Sequence, residues 1–183
     1  MKYFLLLLLL ILNSCGVLTN GVSYIGEERV FGKSFNSFEI MRRDAQYWEP
    51  SWELGIAVQP HKDGRIKGIR LNNPTPGNIR LSIWDADTKI VLKTWNINNG
   101  DGLKSTLNFC ELPILAEKTY YITINVRSYY YYELPYRSFS LDNPDITFLY
   151  SVYEETPYQR FPQNNVASIY HGLIDLDVEY KIN

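Results

Sequence analysis

Apolar and polar residues alternate with a period of two along most of this chain. That is the spacing of strands with one buried and one wet face. Ile79, Leu81 and Ile83 alternate with Arg80, Ser82 and Trp84. Tyr120, Ile122, Ile124 and Val126 point one way, and Tyr121, Thr123, Asn125 and Arg127 the other. The last stretch is the clearest. Ile174, Leu176, Val178, Tyr180 and Ile182 alternate with Asp175, Asp177, Glu179 and Lys181, predicting a core face and an acidic face in water. Further strands are predicted over 53–59, 65–71, 90–97 and 103–109. Ile66 does not share parity with Ile69 and Leu71, which marks Gly68 as a bulge position.

Turn chemistry separates these runs. His61-Lys62-Asp63-Gly64 carries the Asp-Gly hairpin signal. Asn72 to Gly77, Asp85 to Lys89 and Asn98 to Gly102 are the other turns. No long stretch has helical spacing. Many short strands with turns between them predict an all-β fold, an antiparallel β-sandwich of jelly-roll-like form. The segment 27–50 mixes apolar and charged residues and is compatible with an edge strand or a short helix. Residues 136–165 show no clear period.

The N-terminus has a different grammar. Lys2 precedes an apolar run from Tyr3 to Leu12, followed by Asn13-Ser14-Cys15-Gly16. The run is shorter than the roughly 20 residues a spanning helix needs. A basic start, a short apolar core and small residues at its end fit a cleaved signal peptide. The segment Leu12 to Cys15 resembles the lipobox of bacterial lipoproteins, with Asn13 a less usual residue in that pattern. The resemblance implies acylation of Cys15 and attachment to a lipid bilayer through it. An ordinary secretory signal beside an incidental cysteine is the alternative. Because Gly16 is not Asp, the inner-membrane retention signal is missing, so a bacterial outer membrane in the cell envelope is expected, with the membrane face left open. The expected organisation is signal peptide 1–14, lipidated tether 15–26 and one β-sandwich domain 27–183.

Composition changes this picture little. The formal net charge is −2, so no basic stripe invites nucleic acid. If Cys15 carries lipid, Cys110 has no disulfide partner, and its apolar neighbours suggest a buried small residue.

The block from Trp52 to Val126 also resembles an uncharacterised family, a domain of unknown function in secreted, carbohydrate-related bacterial proteins. The carriers are Leu54-Gly55-Ile56-Ala57-Val58, Gly64 to Leu71, Ile79 to Asp85, and Leu112-Pro113-Ile114-Leu115 ahead of Thr119-Tyr120-Tyr121. Glu117-Lys118 stands where such sequences often carry Gly before the Thr-Tyr pair. The resemblance implies a sandwich fold and transfers no catalytic residue.

Candidate chemistry is sparse. His61 and His171 have no metal-ligand spacing. Asp85 with Asp87, and Asn98 with Asn99 and Asp101, are oxygen-rich enough for calcium, but Asp and Asn are also ordinary turn formers. Asp175, Asp177 and Glu179 share a strand face, where paired carboxylates could hydrolyse a glycoside or an acidic face could simply be solvated. No sequence motif calls for a cofactor. The best lead is aromatic. Tyr129, Tyr130, Tyr131 and Tyr132, then Tyr136, form one cluster, and Trp48 and Trp52 flank Pro50. In an extended chain at least two of the consecutive tyrosines stay outside any core. Exposed rings stack on sugars or anchor protein partners, whereas buried ones cap the sandwich. The expectation is a noncatalytic binding module, carbohydrate first. A structural or assembly subunit of an envelope complex and, behind it, a glycan-active enzyme are the alternatives.

Overall fold

A computed structural model describes residues 23–100, 105–135 and 143–182. The expected signal peptide, Cys15 and Tyr136 lie outside the described residues. Among the described residues there are thirteen strands: β1 (Tyr24–Glu27), β2 (Met41–Asp44), β3 (Trp52–Pro60), β4 (Gly64–Leu71), β5 (Asn78–Asp85), β6 (Ile90–Asn98), β7 (Thr106–Ile114), β8 (Tyr120–Val126), β9 (Ser128–Glu133), β10 (Ile146–Glu155), β11 (Asn164–Val166), β12 (Ile169–His171) and β13 (Ile174–Lys181). One 3-10 turn covers Gly32–Phe35.

The strands form three antiparallel sheets. One has the order β1-β13-β4-β7, a larger one β11-β10-β3-β8-β5-β6, and a small one β12-β9-β2. The chain crosses between the first two repeatedly, so apart from the β5–β6 and β10–β11 pairs their neighbouring strands are not consecutive in sequence, in keeping with the expected all-β sandwich. The core lies between them. Ile66, Ile69, Leu71, Leu176 and Val178 face Leu54, Ile56, Leu81, Ile83, Ile122 and Ile124, all buried. Fully burying one such side chain contributes about 1.5–3 kcal/mol, which is why the period-two pattern selects this arrangement.

The bulge expected at Gly68 is present. Lys67 is skipped in the pairing with β13, where Ile66 faces Val178 and Gly68 faces Asp177. It is what lets Ile66 join Ile69 and Leu71 on the core side.

Two expectations fail for physical reasons. The Asp63-Gly64 turn makes no hairpin, because both edges of β3 are occupied by β8 and β10 while β4 pairs with β7 and β13. The turn passes the chain from one sheet to the other, and Asp63 Oδ1 accepts the Ala116 N–H at 2.9 Å. Tyr24 to Glu27 pair with Lys181 to Val178 as an edge strand. The acidic face of β13 is not in water either. Residues 29–32 lie over it, with Asp175 accepting the N–H groups of Phe31 at 2.8 Å and Gly32 at 2.9 Å, and Asp177 that of Arg29 at 3.0 Å. Finally, β10 was not legible. A bulge between Phe148 and Tyr150 flips its parity, so Ile146 and Phe148 face the core before it and Tyr153 after it.

The outer face of the large sheet is also covered. Phe161 stacks on Tyr121 at 4.8 Å and meets Trp84 edge-on. Gln159 Nε2 donates to Ser82 Oγ at 3.0 Å. Beneath them Glu53, fully buried, takes Arg80 Nη2 at 2.7 Å and Thr123 Oγ1 at 2.5 Å, and Thr123 Oγ1 accepts from Trp84 Nε1 at 2.9 Å.

Candidate functional site

The tyrosine run is a strand, and it is the central strand of the small sheet. Tyr129 to Tyr131 pair with Arg43 to Met41 of β2, while Tyr131 and Tyr132 pair with His171 and Tyr170 of β12. Alternation then sends the rings to two different packing environments. Tyr132 stacks on Phe35 at 4.5 Å, next to Phe38, and Phe35 also touches Tyr170. Tyr129 goes the other way, meeting Trp52 edge-on at 5.4 Å and His171 at 5.4 Å. Of the four tyrosines only Tyr129 joins the buried core, while Tyr131 and Tyr132 pack against it and Tyr130 does not. Tyr129 is buried, and Tyr130, Tyr131 and Tyr132 are half-buried. Residues 31–38, which had no clear period, supply the phenylalanines that cover the second face.

The face carrying Tyr129 borders a groove of about 280 Å³. Arg43, Trp52, Tyr129, Tyr153, Glu155 and His171 line it. Each arrives by strand geometry: Arg43 from β2, Trp52 and Glu155 as paired residues of β3 and β10, Tyr129 from β9 and His171 from β12. The Arg43 guanidinium lies over the Trp52 ring, 5.0 Å from its centroid, and beside the Tyr129 hydroxyl. Neither Arg43 nor Glu155 has an ion-pair partner among the described residues. His171 sits between Tyr129 and Tyr153, and its Nδ1 is buried without a hydrogen-bond partner. Burial pushes its pKa down to about 4, so the ring is neutral at pH 7. Burial likewise pushes the Tyr129 phenol up, which keeps its proton in place. A mostly apolar concavity with a few convergent polar groups is the usual form of a ligand site.

Residues 45–51 lead from Arg43 to Trp52, and they display two strongly exposed rings. Tyr47 is 96% and Trp48 78% exposed. The backbone beneath them is fixed. Arg127 donates to the carbonyls of Glu49 and Gln46, each at 2.8 Å, and Glu49 Oε2 accepts the Gln46 N–H at 2.9 Å. Two aromatic rings are thus held in solvent at the same end of the sandwich as the groove.

The remaining candidates resolve into structure. Trp52 is buried as the groove's inner wall, whereas Trp48 is exposed. Asp85 Oδ1 accepts the N–H groups of Asp87 and Thr88, each at 3.0 Å, and Lys118 lies 3.1 Å from Oδ2, so this turn is side-chain capped. Asn99 is buried and staples Asn73 and Thr75. Glu117, where a Gly was expected, adopts φ +60° and binds His61 Nδ1 at 3.1 Å. Cys110 is buried, and its thiol is pushed up to about 11. Trp84 and Trp95 pack within their strands. A larger cavity of about 510 Å³ lies at the opposite end of the sandwich. Its charges are paired internally, Lys62 with Asp145 at 2.6 Å and Lys181 with Asp63 at 3.5 Å. The groove's charges are not paired, which makes it the stronger candidate.

Of the sequence candidates, Trp52 and Tyr129 line the groove and Trp48 lies outside its lining on the neighbouring turn; the sequence did not single out Tyr47, Arg43, Tyr153, Glu155 or His171 for such a site. Tyr47 was findable beside Trp48; the others are assembled only by the pairing of β2, β9, β10 and β12. No protein-family model matches the chain, and no curated protein matches it.

Proposed function

We propose that this protein is a noncatalytic carbohydrate-binding module, held at a bacterial cell envelope through acylated Cys15. The observation that carries the binding reading is the groove itself. Aromatic walls, an unpaired guanidinium and an unpaired carboxylate converge there, with Tyr47 and Trp48 displayed on a braced turn beside it. Rings offer a flat apolar surface for a sugar face, and the charged groups offer directional hydrogen bonds to hydroxyls.

The first described residues lie away from the groove. β3 runs from Trp52 at the groove to Pro60 at the far end, about 26 Å at the usual strand rise. The chain enters at that far end, where Ile182 N–H binds the Ser23 carbonyl and Lys181 N–H that of Asp63. Two acyl chains suffice for stable attachment.

Binding of the purified protein to a glycan array is the test, with Tyr47→Ala, Trp48→Ala and Tyr153→Ala variants in parallel. These positions are not fully buried, unlike Tyr129, so folding survives. Glycan capture that the variants lose supports the reading. A wild type that captures no glycan, or variants that bind as well, would refute it.

A second reading, a subunit of an envelope protein assembly, is favoured by one feature. β6 is an edge strand, with Ile90 60%, Val91 36% and Leu92 41% exposed. Such an edge can pair with another chain. Crosslinking in native membranes distinguishes this reading, which requires a protein partner joined through β6.

A further inference from the structure

We infer that the groove takes an acidic sugar, a uronate residue whose carboxylate is received by Arg43. The inference rests on the carbohydrate reading above and narrows it to one class of glycan.

Arg43 is exposed on β2, and its guanidinium is seated on Trp52 at 5.0 Å. It has no carboxylate partner among the described residues, although most other arginines of the fold have one. Arg65 holds Glu111 and Glu179, Arg70 holds Asp177, and Arg80 holds Glu53. A guanidinium lying over one aromatic ring and beside a phenol hydroxyl still has N–H groups that no carboxylate of the described residues takes up. Those groups match a carboxylate in a two-point contact, which a single hydroxyl cannot reproduce.

The same groove also carries a group of complementary character. Glu155 also lacks an ion-pair partner among the described residues, and it lies on the same groove as Arg43 without pairing to it. A carboxylate is an acceptor only and suits the hydroxyls of a sugar ring. A uronate has both kinds of group on one ring, an anion at one end and hydroxyls at the other. A purely anionic ligand would be repelled by Glu155, and a ligand without charge would leave the Arg43 fork half used.

Matched pairs test this. Trimers of galacturonate and of mannuronate are titrated into the purified protein beside their methyl esters, which keep the ring and remove the charge. The expected result is that at least one free acid binds ten or more times tighter than its ester. Arg43→Gln should abolish that preference, and raised salt should shrink it. Thermal unfolding of the Arg43→Gln variant verifies that it is folded. Equal affinity for acid and ester, or a preference that survives Arg43→Gln, overturns the inference. If neutral oligosaccharides bind and uronates do not, the acidic-sugar assignment fails while the carbohydrate reading stands. If no glycan of either kind binds, both fail together.

Discussion

His171 makes the acid stability of this protein calculable. It is 5% exposed, lodged between Tyr129 and Tyr153, and burial depresses its pKa from 6.5 to about 4. The unfolded chain therefore binds a proton that the folded one refuses between these two values. Stability is complete above pH 6.5 and falls as pH drops toward 4, by about 3 kcal/mol over the whole window. Between pH 7.5 and pH 5.0 the loss from this residue is about 2 kcal/mol by the same linkage relation. Other groups titrate nearby. Asp175 is shifted upward, mainly by burial, and so acts with the opposite sign, gaining stability as pH falls. A comparison with His171→Gln removes such common contributions. Urea unfolding of both proteins at pH 5.0, 6.0 and 7.5, followed by tryptophan fluorescence, measures the difference. The gap between them should change by about 2 kcal/mol across that range, in favour of the variant at low pH. Parallel pH profiles, differing by less than about 0.5 kcal/mol, would refute the buried neutral imidazole.

Other consequences follow from the same packing. Gly55→Ala should destabilise the fold by about 3 kcal/mol, because its Cβ would lie 1.9 Å from the Ile122 carbonyl oxygen in the middle of the large sheet; denaturant melts check this. Asp175→Ala leaves the N–H groups of Phe31, Gly32 and Leu176 without their acceptor and should cost about 2–4 kcal/mol, with faster amide exchange at residues 29–32. Tyr47→Ala and Trp48→Ala remove only exposed rings and should change stability by no more than about 0.5 kcal/mol. The Cys110 thiol, buried and pushed up to about 11, should resist iodoacetamide at pH 8 in the native protein and react once urea unfolds it.

The sandwich was legible where one face of a strand meets the core and the other does not. β8 is the example: its even residues are buried, and their period of two names both the strand and its inner face. The same logic erred on β13. Asp175 and Asp177 look like a wetted face, yet backbone N–H groups from 29–32 seal them, and nothing local in the sequence announces such a cover. β10 failed differently, since its bulge breaks the parity on which the pattern depends. The candidate site was only half visible. Aromatic crowding marked Trp48, Trp52 and Tyr129, but burial of Tyr129 and Tyr132 depends on Phe35, Phe38 and His171 arriving from other segments. Arg43 and Glu155 are unremarkable surface charges until strand pairing sets them on one groove.

A co-crystal structure with an oligosaccharide selected by the glycan array tests the central claim most directly. Sugar density within the groove, with its charged or hydroxyl groups at Arg43 and Glu155 and a ring against Tyr153 or Trp48, is the predicted result. A sugar seated elsewhere, or a groove filled by the protein's own side chains when ligand is bound, would contradict it.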